Sequence, residues 1–495
     1  MRRRDVLRSA AAAAALPLAS TAVTATSQAS YEPLGHVGLE TTKEVVVDDA
    51  GETAYAATTD GYATLDVGDP ANPEVLHEER GLLADREDGP MQMVYDVKVD
   101  GDTLIVVGPA NATREESVQG VLVYDVSDPA SPERRAFHET EFPIHNSFLR
   151  DGVAYLTAND QATNPVVAVD VSTDDPEELS RWSCVDVDDA WEDVHWYLRT
   201  CHDVYVQDDT LYVAYWDAGT WLADVSDPAN PEYVNHVGHY SVEDLRGVEE
   251  IGREGLSVPG NSHYVAVNDD ATVLASGAES WDDDPEDDDD KQGGIDLWDV
   301  SDPQNPEELA FVAPPPTPNG TRQGTWTTSH NFEFHGDRLY SSWYQGGVKI
   351  HDVSDPADPE ELAWWRQPEQ TSFWTAQYAT EDAFLASSMT GGEDYPSGVY
   401  AFPNEAGEQP DPPALVEEES GDATTSGPTT TGATTSQPTT EASPTTEATT
   451  AAPTTEATTE SNGDGESGGG APGFGVLAAL SGVGAAALAA KRRLE

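Results

Sequence analysis

The run Asp224-Val225-Ser226-Asp227-Pro228-Ala229-Asn230-Pro231-Glu232 is one copy of a unit that the chain writes six times. The other copies begin Asp66-Val67-Gly68-Asp69-Pro70, Asp125-Val126-Ser127-Asp128-Pro129, Asp299-Val300-Ser301-Asp302-Pro303 and Asp352-Val353-Ser354-Asp355-Pro356, with Asp170-Val171-Ser172 the most degenerate. Successive leading Asp residues lie 59, 45, 54, 75 and 53 positions apart. In each copy a short strand ends in Asp-Val and runs into a turn built on Asp-Pro. A unit recurring at this period cannot bury its apolar face alone and must stack on its neighbours. The Asp and Pro residues suit a structural role: Asp accepts backbone hydrogen bonds in the turn, and Pro pre-sets its φ.

Working outward from Asp224, residues 202–206 alternate as a strand, 211–215 form a second, 219–225 a third and 232–237 a fourth. Four short antiparallel strands separated by Gly, Pro and Asp describe a propeller blade. Units of this kind begin near Lys43, Tyr95, His145, His202, His263, His330 and Thr375. The seventh stops after its third strand, 397–402, while residues 32–37 echo 232–237. An N-terminal strand completing the last blade closes the ring and removes two exposed edges. The predicted fold is all-β, a seven-bladed β-propeller over residues 30–403 closed by its N-terminal strand. A β-sandwich gives no reason for the recurring Asp-Pro turn. Trp216, Trp221, Trp298, Trp343, Trp364 and Trp365 fall on predicted strands and are read first as core.

The Asp-Val-Ser-Asp-Pro-x-x-Pro-Glu units resemble the LVIVD repeat family. That resemblance covers about residues 32–402, implies a propeller, and says almost nothing about activity.

Acidic residues outnumber basic ones 92 to 24, for a formal charge of −68. At 0.1 M salt, where the Debye length is about 10 Å, such self-repulsion opposes compaction, whereas at molar salt it is screened within roughly 3 Å. With 12 Trp, 18 Tyr and 10 Phe the chain still has material for a core. This balance points to a halophilic, archaeal protein and excludes nucleic acid as a partner class. Arg3, Arg4 and the apolar run behind them, within residues 1–29, resemble a twin-arginine export signal, with cleavage expected between Ala22 and Ser30. Residues 404–470 become a Thr-, Ser-, Pro- and Glu-rich stalk that cannot bury enough apolar area to fold and is read as disordered. Residues 471–495 carry Pro472-Gly473-Phe474, an apolar helix and a basic end, and resemble a PGF-type C-terminal sorting signal. A plain transmembrane anchor is the other reading of that tail. Both readings place the body at the cell surface, with the export and sorting machinery as partners. Asn111 and Asn319 head Asn-x-Ser/Thr sequons that suit glycosylation there.

The blade alignment puts a histidine at one register in four consecutive units: His145, His202, His263 and His330. The innermost strand starts beside the central channel, so these imidazoles are expected to converge at its mouth, where they suit copper, zinc or iron. Repetition by descent, with each ring bonding a neighbouring blade's backbone, is the alternative. Asn146, Asp203 and Asn331, one residue on, are candidate partners of those rings, although strand alternation points them away. Cys184 and Cys201 bracket an insertion holding Trp191, Glu192, Asp193, His195, Trp196 and Tyr197. In an exported chain they are expected to form a disulfide, worth roughly 3 kcal/mol on the chain-entropy model; two thiolates flanking a soft metal are the rival. The acidic run 282–290 is read as a solvated loop rather than a calcium site.

In architecture the chain is also similar to the selenium-binding protein family, which includes methanethiol oxidase. That resemblance implies copper held by His145, His202, His263 and His330, and an oxidase activity. Two functions therefore stay open. One is an extracellular binding or scaffold propeller for a protein, glycan or small ligand. The other is a copper- or zinc-dependent enzyme doing redox or hydrolytic chemistry at the channel mouth.

Overall fold

A computed structural model describes residues 30–112, 117–282 and 291–415. Around Asp224 the strands are Asp203–Gln207, Thr210–Ala214, Thr220–Asp224 and Glu232–Val237, each hydrogen-bonded antiparallel to the next. Six such sheets follow one another in chain order, and the seventh is completed from the far end of the chain. There Gly35–Gly38 pairs antiparallel with Gly398–Pro403, with Val37 opposite Val399. The ring is a seven-bladed propeller closed by its N-terminal strand, as the repeat predicts.

The Asp-Val turns do what their chemistry allows. The Asp125 carboxylate accepts from the Ser127 N–H at 3.0 Å and its hydroxyl at 2.7 Å, and Asp170, Asp224, Asp299 and Asp352 accept likewise. These bonds hold the five carboxyls below their ordinary pKa. The Val126 N–H donates to the Asp102 carbonyl in its own blade's first hairpin, while its side chain is buried. The turn also fastens one blade to the next, because the Pro129 carbonyl accepts from Thr64 Oγ1 and that of Pro228 from Ser180 Oγ. A second repeated feature precedes five of the six leading Asp residues by five positions, Gly61, Gly120, Gly219, Gly294 and Gly347, with Pro165 in blade three; Gly398 takes the same place in blade seven, five before Pro403. A Cβ at Gly120 would sit 2.2 Å from the His138 carbonyl oxygen, and one at Gly398 would sit 2.1 Å from that of Val37. At Gly120 and Gly398 only a residue without a side chain lets strands three and four approach this closely.

The core lies between blades. Val97, Leu104 and Leu122 of blade two pack on Tyr55 and Tyr62 of blade one, and Tyr340 and Trp365 of blade six pack on Phe373 and Phe402 of blade seven. Burying such faces at about 25 cal/mol per Å² is what makes one blade depend on its neighbour. Order runs further than the sequence indicates. Gly407–Glu408 adds a parallel fifth strand to blade six, Arg366 Nε donates to the Pro413 carbonyl, and Leu415 is buried, so the folded body continues past residue 403. The export motif at Arg3 and Arg4, the segment beyond 415 with Pro472, Gly473 and Phe474, and the acidic run 283–290 lie outside the described residues.

The cysteine expectation is corrected. Cys184 and Cys201 are free thiols, both fully buried among Trp182, Trp191, Leu198 and Tyr215. Burial pushes Cys184 up to about 12 and Cys201 well above the ordinary thiol range. Tyr215, whose hydroxyl donates to the Trp182 carbonyl at 3.5 Å, shares their core cluster, an arrangement of packed thiols rather than a covalent clip. Their insertion is three short helical turns, Cys184–Val187, Asp189–Asp193 and Trp196–Arg199. Trp191 fills the blade-four core edge-on to Trp221, while His195 stays exposed.

Candidate functional site

The first strand of every blade opens onto the same end of the channel. The residues at that register are Lys43, Tyr95, His145, His202, His263, His330 and Trp374; blade seven therefore contributes Trp374, one position before the predicted start at Thr375. All seven line one cavity of about 670 Å³. Their rings touch in chain order around the wheel. Tyr95 meets His145 edge-on at 6.2 Å, His145 lies 4.2 Å from His202, and His202 stacks on His263 at 3.6 Å. His263 then lies 5.1 Å from His330, and His330 4.2 Å from Trp374. Lys43 closes the circle, its Nζ 4.2 Å from the Trp374 ring centre and 4.9 Å from that of Tyr95. The four predicted histidines thus come together.

Three of those rings are oriented by backbone. Nδ1 of His145 donates to the Ala110 carbonyl at 3.1 Å, that of His202 to the His263 carbonyl at 2.7 Å, and that of His330 to the Trp374 carbonyl at 2.6 Å. A carbonyl only accepts, so Nδ1 carries the proton and Nε2 keeps its lone pair. This is both the backbone bonding expected of repeated histidines and the way a metal-binding imidazole is normally oriented. Burial favours the neutral form throughout: His145 is pushed down to about 4, His330 to about 3, and His202 and His263 well below the ordinary imidazole range.

His263 differs from the others. Neither of its ring nitrogens has a hydrogen-bond partner although both are buried. Its Nδ1 lies 3.4 Å from a Glu279 carboxylate oxygen without the alignment of a hydrogen bond. Glu279 accepts from the Tyr344 hydroxyl, and burial raises its carboxyl to about 7 against the lowering effect of that bond. Ligand atoms of His263, Glu279 and His330 all fall within 4.8 Å of one another. Two imidazoles and a carboxylate form a donor set for zinc, copper or iron that leaves positions open.

Glu279 escaped the sequence reading because it is not on an inner strand. It follows Val273–Ala278, the second strand of blade five, which returns to the channel mouth. The corresponding residues in the other blades are Thr58, Pro109, Asn159, Tyr215, Trp343 and Met389, so an acid at this register was the signal available.

The neighbours of the histidines in sequence do not support them. Asn146, Asp203 and Asn331 point away and join a separate buried network between blades. Asn146 Nδ2 donates to Asp203 at 3.2 Å, Asn331 Nδ2 to Glu44, and Ser147 Oγ to Asp96 at 2.6 Å. Lys98 sits at its centre, paired with Asp96 and 3.6 Å from Glu44. Burial raises the Glu44 carboxyl to about 7 and those of Asp96 and Asp203 above their ordinary range. Of the tryptophans assigned to the core, Trp221, Trp343 and Trp365 are fully buried. Trp216 instead helps to wall the cavity, with Trp326 and Tyr344. Asn111 also lies at this mouth, half-buried, while Asn319 is exposed with its side chain bonded to Thr321.

Residues 199–238 match the LVIVD repeat. The match spans the blade-four unit from which the strand pattern was read. No curated protein matches the chain significantly. Among solved structures it is similar to the β-propeller domain of Cps50 (Swd1) from Myceliophteria thermophila, with a TM-score of 0.52 at 10% identity over 75% of this chain and 99% of that one. It is also similar to U3-55K, with a TM-score of 0.51 at 12% identity over 76% and 98% of the two chains. The RRP9 WD40 repeats give 0.50 at 12% over 76% and 97%. At these identities the likeness is one of fold alone.

Proposed function

We propose that this propeller is a binding protein whose working part is a metal centre at the channel mouth, built on His263, Glu279 and His330. The observation that carries the reading is His263, buried with both nitrogens unpartnered beside a second imidazole and a carboxylate. Leaving such groups unmade costs roughly 1–3 kcal/mol each, and a cation removes that cost. His202, stacked on His263, and His145 beyond it supply further imidazoles at the same mouth. The donor set is that of zinc or copper, and the carboxylate favours zinc over a purely soft-metal centre. The aromatic walls then make the remaining volume a site for a small ligand rather than for a protein surface. An export signal and an anchored tail would present this site outside the cell, on a stalk.

Protein purified at high salt should contain close to one equivalent of metal by elemental analysis. His263→Ala and Glu279→Gln should each lower that content at least about tenfold while the β-sheet circular dichroism is unchanged. Wild-type protein that stays metal-free after incubation with zinc and copper salts contradicts the proposal.

A further inference from the structure

The inside of the cavity inverts the charge of the molecule. In a chain with 92 acidic and 24 basic residues, Lys43 and Arg322 both line this one cavity. Neither has a carboxylate within 4.0 Å among the described residues. Lys43 Nζ instead contacts the Met389 sulfur at 3.2 Å and the faces of Tyr95 and Trp374. Arg322 lies over the Trp281 ring at 5.3 Å, and its Nε and Nη2 are buried without any hydrogen-bond partner. The acids on the lining are Glu279, already engaged by Tyr344, and Glu369 on the exposed rim. Both cations are half-buried, and inside the rim Glu279 is the one acid that acts on them, so two positive charges face one carboxylate and a further counter-charge is called for from outside. Rings around Lys43 give that ligand a flat apolar surface to lie against.

We propose that the cavity takes a small organic anion, a carboxylate or sulfonate on a flat apolar body, whose charge is matched by Lys43 and Arg322. The inference shares the cavity of the proposed function but does not need the metal. It is tested by calorimetric titration of the full mature chain with benzoate and with benzamide, its neutral counterpart, at constant molar salt, before and after chelator treatment. Benzoate is expected to bind at least about tenfold more tightly than benzamide. Lys43→Met and Arg322→Gln should each remove most of that preference while benzamide affinity persists, which also shows that the variants are folded. A preference that survives chelation supports the inference even if the metal centre proves absent. A preference abolished by chelation and untouched in both variants assigns charge recognition to the metal and overturns it. Equal affinity for the two compounds, or saturable binding of neither, overturns it as well.

Discussion

Lys98 shows how a single residue sets the character of the channel. Burial works to neutralise its ammonium group, but Asp96 and Glu44 outweigh burial and hold its pKa above the ordinary lysine range. It is the internal counter-ion of a network that would otherwise hold several buried carboxylates against one another. Lys98→Met should destabilise the fold by about 3–5 kcal/mol, since one partner of a buried pair is removed and the other stranded. Chemical denaturation measures this, and a loss within experimental error would show the acids to be neutral already. Asp217 is a second buried carboxyl with a readable consequence. Burial pushes it up to about 8 against the Asn261 N–H bond; Glu254 adds to the rise, and Tyr197 and Tyr240 are the other titratable groups facing it. Because the folded state keeps a proton that the unfolded chain has released, this carboxyl's contribution is present below pH 4 and is lost as pH rises towards about 8. Asp217→Asn should therefore gain on wild type across that window, by at least about 1 kcal/mol at its upper end. A gap that stays constant with pH contradicts the assignment.

At the scale of the strand, legibility followed repetition. The Asp-Val-Ser-Asp-Pro turn recurs with its spacing intact, so its residues could be aligned, and the alignment alone placed four histidines in one cavity. What was unique to one blade could not be aligned. Glu279 interrupts an otherwise uncharged register, and the strand Gly407–Glu408 belongs to no repeat. The cysteines were misjudged because two cysteines in a chain expected to be exported favour a disulfide, whereas packing against Tyr215 and Trp182 keeps two thiols buried and free. Closure of the ring was legible, and it rests on a narrow contact. At Gly398, φ is +150° and the strand Gly35–Gly38 passes directly over the Cα. Gly398→Ala should pry the closing strand from Gly398–Pro403 and speed amide exchange at Val37 and Val399 at least about tenfold. Unchanged exchange there would mean that the ring does not depend on this approach.

For the molecule as a whole, charge and architecture pull in opposite directions. Blades packed face to face supply a continuous apolar core, while a formal charge of −68 loads the surface with like charge. Shortening the Debye length from about 10 Å to about 3 Å relieves that surface without touching the buried Lys98 network. The melting temperature should therefore climb steadily with potassium chloride between 0.1 M and molar concentrations, as expected from these screening lengths. A melting temperature indifferent to salt would show that the acids do not oppose folding. Within this frame, Lys43, Arg322 and the unpartnered His263 meet at one end of the channel, which is why function is assigned there.

The most direct measurement is anomalous diffraction from crystals grown with zinc, with data collected on both sides of the zinc absorption edge. The account expects one strong difference peak within bonding distance of His263, Glu279 and His330, at about 2.0–2.2 Å from their nitrogen and oxygen donors. A cavity with no such peak, or zinc found only on surface carboxylates, would contradict it.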